Sequence, residues 1–288
     1  MSNPITQIKK VLALAFLAGA LPFINYASAH AKEDDKSVAD WLWEDYRKPV
    51  GFTYNAKATL NAAYLWRGLY AGGPNIQASA NVGYGGLYAD MWWNLGVYDW
   101  RFESFQPEVD FSLGFNRWGV DVFLLYVHNF DSHFFDFNNG FGGGNRLEVN
   151  VKYTLSNKVP LTIHWATRVS ASDGYYDASN QLARAWSSYL EISYVHKFPY
   201  AISLSGAVGI TPWKSCYTEY VHDFGVVNID IRLRKDWSLS ERCGLLLQGQ
   251  FSMNPTLLAA DPQSARWLPF EPAGQTVNAN LSVGVYLK

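Results

Sequence analysis

The feature that most constrains this chain is a strict two-residue alternation near its C-terminus. Val277, Ala279, Leu281, Val283, Val285 and Leu287 alternate there with Asn278, Asn280, Ser282, Gly284 and Tyr286. Successive side chains of a strand point to opposite faces, so this segment reads as a strand with one greasy and one wet face. A one-residue slip in pairing would exchange the faces, which specifies the register strongly. The same pattern sets Leu147, Val149, Val151 and Tyr153 against Arg146, Glu148, Asn150 and Lys152, and sets Val227, Ile229, Ile231 and Leu233 against Asn228, Asp230, Arg232 and Arg234. Helical periodicity is nearly absent from Ala56 onward.

About twelve segments read as strands, many of them near the length of a tilted membrane strand. The first begins at Ala56, with Ala58, Leu60, Ala62, Tyr64 and Trp66 on one face and Lys57, Thr59, Asn61 and Arg67 on the other. The others are Ile76 to Tyr84, Leu87 to Tyr98, Val109 to Phe115, Val120 to His128, Leu147 to Leu155, Leu161 to Val169, Tyr189 to Tyr194, Ile202 to Ile210, Val226 to Arg234, Cys243 to Phe251 and Val277 to Leu287. Their connections alternate in length. Short ones, rich in turn residues, fall at Gly83 to Gly86, Asn116 to Gly119, Ser156 to Pro160, His196 to Pro199 and Lys235 to Arg242. Longer ones fall at Gly68 to Asn75, Asp99 to Pro107, Asn129 to Asn145, Ser170 to Arg184, Thr211 to His222 and Asn254 to Thr276. The fold class is therefore all-β, a closed antiparallel barrel.

Alternation cannot say which face is buried, because a soluble barrel hides its apolar face and a membrane barrel shows it to lipid. Three features favour the membrane. Lys9 and Lys10, the apolar run Val11 to Ile24 and Ala27-Ser28-Ala29 form a secretory signal with cleavage expected before His30. The short and long connections match the turns and external loops of a transmembrane barrel. Aromatic residues make up 16% of the chain, with 12 Trp and 18 Tyr, a high content for a soluble domain. Trp66, Tyr84, Trp100, Trp118, Tyr153, Trp186, Tyr194 and Trp237 stand at strand ends, where interfacial girdles belong. The expected organisation is a signal peptide over 1–29, a periplasmic segment over 30–54 without strand pattern, and a transmembrane barrel over 55–288 in the outer membrane of a Gram-negative-type envelope. The outer-membrane bilayer is then its first partner, and association into a homo-oligomer stays open.

Tyr64-Leu65-Trp66-Arg67-Gly68, Pro74-Asn75-Ile76-Gln77 and Gly86-Leu87-Tyr88-Ala89-Asp90-Met91-Trp92 resemble the TorF-type porin family. Glu108-Val109-Asp110, Gly114-Phe115 and Leu190-Glu191 are similar to later parts of the same pattern. The likeness is densest over Ala56 to Phe115. It implies an outer-membrane porin that passes small solutes.

With Leu, Val and Ile facing lipid, the lumen would receive Lys57, Asn61, Arg67, Gln77, Asn81, Asp90, Trp92, Asn94, Glu108, Asp110, Arg146, Glu148, Lys152, His164, Arg168, Glu191, Asp230, Arg232, Arg234, Gln248, Asn278 and Asn280. Charges cannot face a dry interior unpaired, so either water or cross-strand ion pairs must fill this space. Two arrangements fit: a packed polar core, or a narrow pore in which Asp90, Glu108 and Asp110 face Arg146, Lys152, Arg232 and Arg234. The transverse field of such a pore would favour small polar solutes, zwitterions or sugars, over lipophiles. The alternative to a channel is a non-conducting barrel that binds a ligand or protein through its long loops. The connection Asn129 to Asn145, rich in Phe, Asp and Gly, would constrict the mouth if folded inward, and is an ordinary exposed loop otherwise.

Other chemistry finds little support. A formal net charge of -2 offers no basic footprint for nucleic acid. No cofactor is called for, Cys216 and Cys243 lack metal-ligand spacing, and Asp131, Asp136 and Asn138 match no established calcium loop. A rim phospholipase would need His and Ser together. Neither His128 nor His196 has a Ser two residues on, and no G-x-S-x-G occurs, so the chain does not read as an enzyme. The two cysteines fall at opposite ends of the expected barrel and should not form a disulfide.

Overall fold

The computed structural model describes residues 51–97, 107–130, 133–137, 145–156, 159–170, 173–260 and 276–287. The expected leader, the adjoining segment up to residue 50, and Trp100 lie outside the described residues. Twelve antiparallel strands close into a barrel. They are β1 (Phe52–Asn61), β4 (Asn75–Tyr84), β5 (Leu87–Gly96), β6 (Glu108–Arg117), β7 (Val120–Asn129), β8 (Arg146–Thr154), β9 (Leu161–Arg168), β12 (Ser188–Phe198), β13 (Ile202–Thr211), β14 (Gly225–Ser238), β15 (Cys243–Met253) and β16 (Val277–Leu287). Two small ribbons, β2 (Tyr64–Trp66) with β3 (Leu69–Gly72) and β10 (Gly174–Tyr176) with β11 (Leu182–Arg184), stand outside the ladder.

Each barrel strand pairs with its neighbours, and β1 closes the cylinder on β16 with Lys57 opposite Tyr286 and Leu60 opposite Val283. Closure removes every sheet edge, which lets the structure tolerate a solvent unable to hydrogen-bond. Short turns gather at one end. Two of them are the two-residue turns Gly85-Gly86 and Trp118-Gly119, all four residues at positive φ as such hairpin turns require. The opposite end carries the longer connections, including a 3-10 turn at Cys216–Thr218 and the short helix α1 (Pro255–Ala260).

Exposure settles which face is greasy. Leu60, Val149, Ile231 and Val283 are exposed on the outside, as are Leu113 and Leu124, while the inward neighbours of the first four, Thr59, Asn61, Glu148, Asn150, Asp230 and Ser282, are buried. A soluble barrel would show the reverse. An apolar exterior around a polar interior is the arrangement of a barrel that spans a bilayer. At the short-turn end Phe52, Tyr84, Trp118, Tyr153, Phe198, Tyr200 and Trp237 form an exposed aromatic rim; Trp186 and Trp213 stand exposed at the other end.

Two sequence expectations are corrected, and a third point, left open by the sequence, is resolved for the described residues. β12 runs on to Phe198 and β14 to Ser238, so the turns expected at His196 to Pro199 and Lys235 to Arg242 are shorter. The first strand stops at Asn61, and Tyr64 and Trp66, expected on its lipid face with Trp66 in a girdle, belong instead to a hairpin that turns into the lumen. The third long connection does not enter the mouth in its described part. Residues 133–137 lie on the outer face of β7, where Phe134 stacks on His128 at 3.8 Å and Phe135 on Tyr126 at 5.1 Å. Asn145, fully buried, anchors this flap through His128 Nδ1 (2.6 Å) and the carbonyls of His133 (2.6 Å) and Asp136 (3.0 Å).

Candidate functional site: a hairpin across the lumen

The connection between β1 and β4 is built to point inward. At its base Asn61 Nδ2 donates to Asn75 Oδ1 at 3.0 Å, and the Ala63 amide donates to Asn280 Oδ1 of β16 at 3.0 Å. Within the ribbon Trp66 pairs with Leu69, so Arg67 and Gly68 make the turn, at φ 49° and 79°. Glycine is required at the second position for a further reason. A Cβ there would overlap the Val227 carbonyl oxygen, because the tip rests on the backbone of β14. Tyr64 lies along the way, donating to Glu108 Oε1 at 2.8 Å and packing on Trp92 at 5.3 Å between ring centroids.

Arg67 then meets the far wall. Its guanidinium donates to both Glu148 oxygens, Nη1 to Oε2 and Nη2 to Oε1, each at 2.7 Å, the fork geometry that makes arginine-carboxylate pairs strong. It also donates to the Tyr217 hydroxyl and, at 3.4 Å, to Asn150 Oδ1. Its face is covered by Trp66 and Tyr189, each 4.7 Å from ring centroid to Cζ, with Tyr217 at 5.7 Å. Tyr217 sits in the loop after β13, where burial pushes its phenol above the ordinary range, so it stays a neutral hydroxyl. Around this guanidinium lies an apolar knot of Ala166, Tyr189, Tyr217 and Val227, joined by Trp66, Leu69 and Cys216.

A polar shell supports the knot. Asn150 faces His164 Nε2 at 2.8 Å; Asn228 donates to the Tyr189 hydroxyl at 3.0 Å, and Tyr189 donates to Glu191. Arg168 stands opposite Glu148 in the β8–β9 register and lies over Trp66 at 5.5 Å and Tyr217 at 5.8 Å. Arg146 reaches Glu108 at 3.3 Å. Asp110, on the same face of β6, keeps one buried carboxylate oxygen without a hydrogen-bond partner.

Nearer the short-turn end the wall is differently arranged. Lys57 of β1 and Arg232 and Arg234 of β14 occupy one side, and Asp90 of β5 and Asp121 of β7 the other. Arg232 bonds Asp230 at 2.6 Å and Arg234 bonds Asp236 at 2.7 Å. Asp121 accepts from the Tyr88 hydroxyl at 2.8 Å and stands opposite Lys152 in the ladder. Arg232 keeps 46% of its side chain exposed, against 9% for Arg67, so solvent reaches this level and not the knot.

Apart from Arg67, which stands in the turn of the β2–β3 ribbon, the strand register puts the residues named from the sequence on inward parity, but it groups them otherwise than expected. Glu108 and Arg146 pair with each other across β7 instead of facing one another over a gap, and they share the long-loop end with Asp110, Glu148, Arg168 and Glu191. Asp90, Lys152, Arg232 and Arg234 lie toward the short turns. The sequence reading missed Tyr64, Tyr189, Tyr217 and Asp121. Tyr189 carries a signal, since it shares the parity of Glu191; Tyr217, in a long loop, carries none. Among the described residues no cluster of His, Cys, Asp and Glu is arranged to hold a metal ion. Cys216 and Cys243 are both free thiols.

No family model and no curated protein matches the chain. Solved structures similar to it include porins. A NanC porin overlaps 82% of this chain and 100% of its own, at 9% identity and a TM-score of 0.46. The OmpF of Salmonella typhi, in complex with daunomycin, overlaps 82% of this chain and 97% of its own, at 9% identity and a TM-score of 0.35. An anion-selective porin from Comamonas acidovorans overlaps 83% and 99%, at 9% identity and a TM-score of 0.32.

Proposed function

We propose that this protein is an outer-membrane channel for small polar solutes, with its bore set by the hairpin between β1 and β4. The observation that carries this reading is the inversion of the barrel: an apolar belt is exposed outside, while the polar side chains Thr59, Asn61, Glu148, Asn150, Asp230, Asn278 and Ser282 are turned inward. Twelve strands enclose more room than inward side chains fill in an eight-stranded barrel, and charged groups on the short-turn half keep contact with water. The likeness of Tyr64 to Gly68, Pro74 to Gln77 and Gly86 to Trp92 to the TorF-type family agrees with this reading.

The inward residues act in two tiers. Toward the short turns, Lys57, Arg232 and Arg234 against Asp90 and Asp121 give a vestibule with a transverse field, which orients dipolar solutes and offers little to lipophiles. Above it, Arg67, Glu148, Trp66, Tyr189 and Tyr217 form the constriction. Ion pairs stand at both levels, but in the vestibule the partners, Arg232 with Asp230 and Arg234 with Asp236, lie two residues apart on one strand and do not bridge the lumen, whereas Arg67 reaches Glu148 from the hairpin. Swelling of proteoliposomes in isotonic solutions of graded solutes tests the reading. Glycine and small sugars should enter faster than in protein-free vesicles, with a cutoff that rises when the hairpin is shortened. Equal rates with and without protein, for wild type and shortened hairpin alike, would refute it.

A further inference from the structure

The arrangement around Arg67 has the form of a ligand site that is already occupied. Its walls are separate from the hairpin that fills it. Glu148 and Asn150 belong to β8, Tyr189 to β12, and Tyr217 to the loop after β13, whereas Arg67 and Trp66 arrive on a ribbon tethered to β1 and β4. The wall presents a carboxylate in fork register at 2.7 Å on both arms, the Tyr217 hydroxyl and the Asn150 amide oxygen as further acceptors, and a tyrosine face 4.7 Å from the guanidinium carbon. A planar fork satisfies this set; a compact ammonium satisfies the charge and not the two parallel hydrogen bonds.

We infer that Glu148, Asn150, Tyr189 and Tyr217 form a binding site for a guanidinium group, held in the resting protein by Arg67 and open to guanidino solutes of the arginine and agmatine class when the hairpin withdraws. Two of the contacts at the tip lie on different strands: the Arg67–Glu148 fork and the close approach of Gly68 to the Val227 carbonyl. They are independent, since the first is on β8 and the second on β14. A tethered group competes at an effective concentration in the millimolar range for a short flexible connection, so a free solute must outcompete Arg67 at that level in the intact protein and faces no competitor once Arg67 is gone. Arg168, opposite Glu148, stays on the wall in either state and supplies a second, weaker claimant for the carboxylate.

Binding does not require conduction, so the test reads binding directly. Methylguanidinium is titrated calorimetrically into detergent-solubilised wild type, Arg67→Ala and Gly68→Ala, with methylammonium as the comparison cation. Arg67→Ala empties the site; Gly68→Ala unseats the tip while leaving every wall residue in place. Both variants are expected to bind methylguanidinium at least tenfold more tightly than wild type and at least tenfold more tightly than they bind methylammonium. Adding Glu148→Gln to either should abolish that gain. Equal affinity in wild type and both variants, or a gain that survives Glu148→Gln, would overturn the assignment. A porin reading refuted by unchanged vesicle swelling would leave these affinities as they are, so the two failures are distinguishable.

Discussion

Removing the carboxylate of Glu148 should release the hairpin and leave the barrel intact. The Arg67 and Glu148 side chains retain 9% and 4% of their exposure, so Glu148→Ala leaves a buried guanidinium without its counter-ion, a change that typically costs about 3–5 kcal/mol. Arg67 keeps the Tyr217 hydroxyl, the longer contact to Asn150 and its ring faces, which argues for the lower end. Loss of the anion that also faces Arg168 works the other way. At about 3 kcal/mol, and tenfold per about 1.4 kcal/mol, the open hairpin should gain about a hundredfold in population. Hydrogen exchange resolves this, because the Tyr64–Gly72 and Trp66–Leu69 pairings belong to the ribbon alone. Protection of residues 64–72 should fall by about two orders of magnitude in Glu148→Ala while β8 and β9 keep theirs. The double variant Arg67→Met with Glu148→Leu, which replaces the pair by apolar groups, should restore protection to within about tenfold of wild type. Unchanged protection in Glu148→Ala, or equal loss in β8 and β9, would refute the argument that this pair holds the hairpin.

Further expectations follow from other parts of the barrel. Val283→Arg, on the exposed greasy face at mid-strand, should destabilise folding into vesicles by about 2–4 kcal/mol in urea titrations, and an effect under about 0.5 kcal/mol would argue against a lipid-facing position. Gly114→Ala places a methyl 2.6 Å from both Phe123 Cβ and Tyr88 Cζ, so it should displace Tyr88 from Asp121 and cost about 1–3 kcal/mol by the same titration. Asn145→Ala should free the aromatic flap over Tyr126 and His128, seen as faster hydrogen exchange at 133–137 with no change in β7. Burial raises the Cys216 thiol above its ordinary value, which lowers its thiolate fraction at any given pH. Maleimide at pH 7 should therefore modify Cys243 first, with Cys216 gaining rate as pH rises; a reductant-dependent gel shift of the monomer would contradict two free thiols.

The barrel was legible because alternation survives wherever one face meets lipid and the other meets polar groups. In β16 each greasy residue from Val277 to Leu287 is separated by a small or polar one, and the strand has the extent the pattern implies. Alternation does not record what lies beyond a face. Ala58, Leu60, Ala62, Tyr64 and Trp66 keep one parity without a break, yet the chain leaves the ladder after Asn61 and the two aromatics pack inside. The clue was the Arg67-Gly68 pair, since two consecutive positive-φ residues mark a tight hairpin and demand glycine at the second. Of the constriction, Glu148 could be named from parity, whereas Arg67 was named on the parity of a strand that ends at Asn61, and their meeting across the lumen could not be foreseen because strand parity carries no information about contacts between distant walls. The outward placement of residues 133–137 was hidden for a related reason: aromatics suit a lumen mouth and a lipid interface equally well.

The central claim is that the polar lumen is the conduction path and that the hairpin sets its width. Single-channel current through planar bilayers tests it most directly, comparing wild type with a variant in which residues 63–73 are replaced by a short glycine-containing turn. The account expects discrete openings from both proteins, with severalfold larger unit conductance and weaker current noise in the shortened variant. Silent membranes with both proteins, or identical unit conductance in the two, would contradict it.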